Sequence, residues 1–181
     1  MATSSIQAAN LFNVKGLVAV VTGGGSGSIA SPTQLKYTLS VAEKRFLNLL
    51  DKGNKKGNVE QKSQVVATSS IGGFNRKAPG GLIYGQSKAA TTHLMKQLGT
   101  QLAPYDIRCN TIAPGLFPSE LAVGLIGDGI FAKDQIPLQR AGTEEDMAGC
   151  ILFLTSRAGA YCTHAVIVVD GGRLSVMPST W

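Results

Sequence analysis

Leu17-Val-Ala-Val-Val21, followed at once by Thr22-Gly-Gly-Gly-Ser-Gly27, decides the fold class of this chain. The run from Leu17 to Val21 is apolar at every position. Continuous rather than alternating apolarity suits a strand buried on both faces, as in a parallel sheet. Glycines directly behind such a strand let the backbone approach a pyrophosphate closely. A plain flexible turn is the simpler alternative for the same residues.

The pattern continues outward. Ser31-Pro32 supplies a helix cap and a proline at the first helical position. Leu35, Leu39, Ala42, Phe46 and Leu49 then recur at helical spacing, which predicts an amphipathic helix from about Pro32 to Leu50. Asp51 to Asn58 reads as a polar loop with a solvated lysine surface. Gln64 to Ser69 is the second predicted strand, and Ser70 to Ile83 a glycine-bearing loop. A helix is expected from Tyr84 to about Leu102, with Ala90, Leu94, Leu98 and Leu102 on its inner stripe and Pro104 ending it. Ile107 to Ile112 is the third strand, closed by Ala113-Pro114-Gly115. Residues 116–138 read as a mobile loop or short lid helix. Thr143-Glu-Glu-Asp146 is a capping signature that opens a helix with Met147, Cys150, Ile151 and Leu154 inward. Ala165 to Val169 is the fourth strand, leading into Asp170-Gly-Gly172.

Strands alternating with helices mean an α/β domain with a mainly parallel sheet and helices on its faces. Four strands in one domain spanning 1–181 are expected. Such sheets bind ligands at the carboxyl ends of their strands. Thr22–Gly27, Ser69–Ser70, Pro114–Gly115 and Asp170–Gly172 all fall there.

Composition excludes several classes. Of 181 residues, 44% are hydrophobic and 15% charged, which excludes a disordered chain. The net charge of +6 comes without a nucleic-acid motif or basic stripe, so no nucleic-acid partner is expected. Cys109, Cys150 and Cys162 lack metal-ligand spacing and read as reduced thiols. His93 is expected on an exposed helix face and His164 in a solvated loop, neither at a zinc site. No charged leader precedes an apolar core, and no early run is long enough to cross a bilayer. A soluble cytoplasmic protein is expected.

Tyr84-Gly-Gln-Ser-Lys88 carries the clearest chemistry. Residues i and i+4 share a helix face, so phenol and ammonium are neighbours. A free tyrosine titrates near about 10, and a nearby positive charge favours the phenolate. The pair is therefore suited to general acid/base work nearer neutral pH. Ser70, at the end of a strand, is placed to hydrogen-bond a substrate carbonyl. Taken alone, Tyr-x-x-x-Lys is also an ordinary surface pair. A serine hydrolase is excluded, because Gly24-Gly-Ser-Gly-Ser28 and Gly85-Gln-Ser-Lys-Ala89 both miss the final glycine of the nucleophile elbow.

Together these motifs resemble the short-chain dehydrogenase/reductase family, from Leu17 to Gly27 and again from about Lys36 to Arg173. The matching positions are Thr22, Gly23 and Gly27, the pair Ser69-Ser70, and Tyr84 with Lys88. Asn110, Pro114, Gly115 and Ser119, the stretch Arg140 to Ala148, and Asp170 to Gly172 complete the likeness. The loops look like those of fungal members serving secondary metabolism. The resemblance implies a Rossmann-like sheet with Ser70, Tyr84 and Lys88 as catalytic residues. It implies that Gly23, Ser26, Gly27, Tyr84, Lys88, Pro114, Gly115 and Ser119 contact NADP(H) or NAD(H). The implied reaction interconverts a carbonyl and an alcohol. Leu116, Phe117, Leu121, Leu125 and Phe131 suggest a small apolar substrate.

The sequence also departs from the family. Gly27 is followed by Ser28-Ile29, so the last fingerprint glycine is absent. Between Val21 and Gln64 there is room for one helix and no further strand. The chain resembles a family member lacking an internal block between Gly27 and about Ser31. That block normally carries most of the adenosine half of the cofactor site. Cofactor binding is therefore expected to be weakened or lost. A truncated sheet needs cover on its faces, so a homo-oligomer is expected. Two further readings stay open: a cofactor-free acid/base enzyme (isomerase, dehydratase or cyclase) on the same Tyr/Lys site, and an inactive subunit or splice variant.

Overall fold

A computed structural model describes residues 7–17, 46–55, 61–76, 81–118 and 135–177. The strand read at Leu17–Val21 and the glycine turn at Thr22–Gly27 lie outside them, apart from Leu17. So do residues 32–45 of the first predicted long helix and most of the 116–138 segment.

The described residues form an α/β fold. A one-turn helix α1 (Ala8–Leu11) is followed by α2 (residues 46–55), β1 (Gln64–Thr68) and α3 (Leu82–Leu102). Then come β2 (Arg108–Pro114), α4 (Glu144–Thr155), β3 (Val166–Val169) and the short α5 (Arg173–Val176). The three strands make one parallel sheet in the order β1-β2-β3. Among the described residues the sheet thus has three strands where four were read.

The central strand explains the hydropathy pattern. Arg108 to Ala113 are all buried, as expected of a strand covered on both faces. Helix α3 packs across β1 and β2. Met95, Leu98, Leu102, Ile107 and Cys109 form the core beneath it, with Leu47 and Leu50 of α2 packed alongside. Each such aliphatic side chain contributes about 1.5–3 kcal/mol on burial.

Several sequence expectations change. Residues 51–55, read as loop, continue α2. The local cause is an i,i+4 ion pair, Lys55 Nζ to Asp51 Oδ2 at 2.5 Å, together with Asn54, whose Nδ2 donates to Tyr105 O at 2.8 Å. Helix α3 begins two residues before Tyr84. Its buried stripe runs through Ser87, Thr91, Met95, Leu98 and Leu102; Ala90 is exposed and Leu94 half-buried. Ser87 and Thr91 are tolerated on the inner face because their hydroxyls donate to the helix's own carbonyls, Tyr84 O at 2.7 Å and Ser87 O at 2.9 Å. On α4 only Leu154 is fully buried, and Ile151 faces outward.

His164 is not in a solvated loop. Its φ is +60° and its backbone N donates to Cys109 O at 2.6 Å. Its ring lies directly on Gly99 of α3, where a β-carbon would fall 2.5 Å from Nε2. Glycine at position 99 is what admits the imidazole. His93 is exposed, as expected.

Candidate active site

The carboxyl ends of the three parallel strands lie on one edge of the sheet. Ser69–Ser70 follow β1, Pro114–Gly115 end β2, and Asp170–Gly172 follow β3. Parallel pairing is the reason that residues far apart in sequence share this edge.

Ser70 leaves β1 in an extended conformation and caps a 3-10 turn at Ile71–Gly73. Its Oγ accepts a hydrogen bond from Gly72 N at 3.1 Å. That turn lies flat on the first turns of α3. A methyl group at Gly72 would meet Tyr84 Cε1 at 3.0 Å and Ser70 Oγ at 3.4 Å. One at Gly73 would sit 2.8 Å from Ala89 N and 2.9 Å from the carbonyl carbon of Lys88. The two glycines therefore hold the serine turn against the helix face that carries tyrosine and lysine. The side chains of Ser70 and Tyr84 both border the space beside Gly72.

Tyr84 and Lys88 stand one helical turn apart, with Lys88 Nζ 5.6 Å from the centre of the Tyr84 ring. Both are half-buried. Burial lowers the Lys88 pKa from its ordinary 10.5. Its Nζ points back to the end of β1 and donates to Thr68 O at 3.4 Å. Ser69, the other member of the serine pair, faces away into the structure. Its Oγ donates to Lys88 O at 2.8 Å and accepts from Thr92 Oγ1 at 2.9 Å. Ser69 thus clamps β1 to α3, and Ser70 is left facing Tyr84.

Pro114 pairs with Val169, and Gly115 N donates to Val169 O at 2.8 Å. Both lie on the same sheet edge as Ser70. Gly23, Ser26, Gly27 and Ser119 lie outside the described residues. Leu121, Leu125 and Phe131 of the expected apolar wall do so too.

Two motif residues prove structural. Asn110 is fully buried in β2; its Nδ2 donates to Cys162 O at 2.9 Å and its Oδ1 accepts from Ala165 N at 3.1 Å. Asp170 folds back on its own turn, accepting from Gly172 N at 2.8 Å and from Leu174 N at 2.6 Å. Arg108 was not singled out from the sequence. Its buried guanidinium donates to the carbonyls of Leu154, Gly159 and Cys162 and ties the loop after α4 to β2. A charged residue at the start of a strand that is buried from Arg108 to Ala113 was the available signal.

Comparisons with known proteins agree with the fold. A family profile described as enoyl-(acyl carrier protein) reductase matches residues 18–173. The short-chain dehydrogenase/reductase PhomF' of Diaporthe leptostromiformis is 50% identical over 142 residues, covering 75% of this chain and 48% of that protein. The chain therefore spans about half the length of this relative. Among solved structures, the Pseudomonas aeruginosa RhlG/NADP active-site complex is 30% identical with a TM-score of 0.69, covering 83% of this chain and 62% of that one. A short-chain dehydrogenase of Leptospira borgpetersenii with bound NAD+ is 28% identical with a TM-score of 0.60, covering 77% and 53%. No helix among the described residues is long and apolar enough to cross a membrane.

Proposed function

The chain belongs to the short-chain dehydrogenase/reductase family, and from that premise we propose an oxidoreductase that interconverts a carbonyl and an alcohol on a small apolar substrate. The observation that carries this reading is the packing of the Ser70 turn, through Gly72 and Gly73, on the helix face bearing Tyr84 and Lys88 at the carboxyl edge of a parallel sheet. Domain extent, substrate and assembly belong to the same proposal: one domain over residues 1–181, acting in the cytoplasm as a homo-oligomer.

The residues fit the nicotinamide half of a dinucleotide. Lys88 spends one long bond on Thr68 O, which leaves ammonium protons for the hydroxyls of a ribose. Pro114 and Gly115 line the same edge. When bound, the nicotinamide supplies or accepts the hydride, which no side chain provides. Ser70 Oγ orients the carbonyl oxygen. The Tyr84 hydroxyl gives that oxygen a proton in reduction and takes one from the alcohol in oxidation. The Lys88 ammonium attracts the negative charge that develops on the Tyr84 oxygen as its proton leaves.

The test is titration of the whole chain with NADPH and with NADH, followed by carbonyl turnover. Binding tighter than about 1 mM, roughly −4 kcal/mol, is expected for a working half-site. Tyr84→Phe is expected to leave binding unchanged and to lower kcat about 100-fold or more, because it removes the proton donor. Lys88→Ala is expected to weaken both. A second reading, the same Tyr84–Lys88 pair working as a cofactor-free acid/base catalyst, is favoured by Gly27 running into Ser28-Ile29 without the last fingerprint glycine. Carbonyl-compound isomerisation without added nucleotide supports that reading, and strict dependence on NADPH or NADH eliminates it. Neither binding nor turnover leaves an inactive subunit.

A further inference from the structure

Two turns are joined by a short segment that the proposed chemistry does not use. One is the serine turn, residues 70–75. The other is the turn at residues 135–138. Between them runs α5 with its flanking residues, Asp170 to Met177.

The near end of this segment is fastened to residues 135–138. Leu138 N donates to Gly171 O at 3.2 Å, and the buried Arg173 donates through Nη2 to Gln135 Oε1 at 3.2 Å. The far end reaches the serine turn. Asn75 Nδ2 donates to Met177 Sδ at 3.7 Å, across 102 positions of sequence. The single turn of α5 is kept in shape by Asp170 at its start and by Met177 N donating to Arg173 O at 3.1 Å. Asn75 in turn belongs to the serine turn: its N donates to Ile71 O at 3.1 Å, and Gly73 N donates to Ser70 O at 3.0 Å. A displacement at Met177 is therefore passed through Asn75 to Ser70.

We propose that Arg173 and Met177 are positioning residues, and that Asp170–Met177 is an internal strap setting the distance between the Ser70 turn and the 135–138 turn. The inference rests on the oxidoreductase reading for its effect on turnover, but its structural part stands separately. The strap reaches the turn bearing Ser70 through Asn75. It thus governs where the substrate carbonyl is held.

The test compares Met177→Ala and Met177→Leu with the unmodified chain by amide hydrogen exchange. Met177→Ala is expected to speed exchange of the amides of residues 72–75 about tenfold while residues 95–102 of α3 exchange unchanged, as local opening requires. Met177→Leu, which keeps the bulk and loses the sulfur acceptor, is expected to fall between. Unchanged exchange at 72–75 in Met177→Ala overturns the proposal, as does equal acceleration across α3. In turnover, Met177→Ala is expected to raise KM for the carbonyl about tenfold without moving the pH profile. A shifted pH profile with unchanged KM also overturns it. An unmodified chain without turnover defeats the oxidoreductase reading alone, since the exchange experiment still decides the strap.

Discussion

Lys88 shows what burial does to a charged side chain. Its charge sits where burial disfavours it, and its pKa is lowered from 10.5 for that reason. The sign follows directly. Between the lowered pKa and 10.5 the unfolded chain binds more protons than the folded one, so stability rises with pH there and the penalty is fully present below that window. Lys88→Met, which keeps the stem and deletes the charge, is therefore expected to raise the thermal midpoint at pH 7 while abolishing turnover. A lowered midpoint at pH 7 argues against it. The Tyr84–Lys88 pair was legible in sequence because four positions on a helix fix a shared face. Ser70 was legible through its strand end. The roles of Arg108, Asn110 and His164 were not, because each depends on carbonyls or a glycine about 50 or more positions away.

Elements were legible where a local rule suffices. Thr143 and Asp146 form the expected capping box, with Asp146 N donating to Thr143 Oγ1 at 3.4 Å and Thr143 N to Asp146 Oδ2 at 2.8 Å. Thr143→Ala is expected to cost about 1 kcal/mol, read by denaturant unfolding. Arg140 adds a two-pronged ion pair to the same carboxylate, Nη1 to Oδ2 at 2.5 Å and Nη2 to Oδ1 at 3.0 Å. Those bonds hold the Asp146 pKa well below its usual 3.8. Its contribution is present above 3.8 and is lost as pH falls below that value. Acid unfolding of Asp146→Asn is expected to show a shallower loss in that range. The extension of α2 through residue 55 was hidden because its composition is that of a loop. An ion pair and an asparagine reaching Tyr105 O outweigh the weak propensity of Gly53 and Asn54.

At the scale of the molecule, alternation of strand and helix predicted a parallel sheet, and β1-β2-β3 is one. Helix boundaries slipped by two residues at the start of α3 and by five at the end of α2. Leu82 at 74% exposure and Ile83 at 66% on α3, with Leu138 at 64%, present apolar surface to water. Self-association is expected at micromolar concentration, measured by light scattering behind size exclusion as a mass that is a multiple of one chain. A stable soluble monomer contradicts the oligomer.

The register of the sheet also sets how the molecule comes together in time. Gln64 must find Arg108, and Thr111 must find Val166, before either pair gains anything. No hairpin offers an early local nucleus among these strands, so each pairing closes a long loop first. Helix α3 is the natural early structure, because its contacts with the serine turn are short in sequence. Refolding from denaturant is expected to show fast gain of helix within about a millisecond and sheet closure on the order of milliseconds to seconds. During that interval β2 stands with both edges unpaired, which makes residues 108–114 the stretch through which misassembly begins.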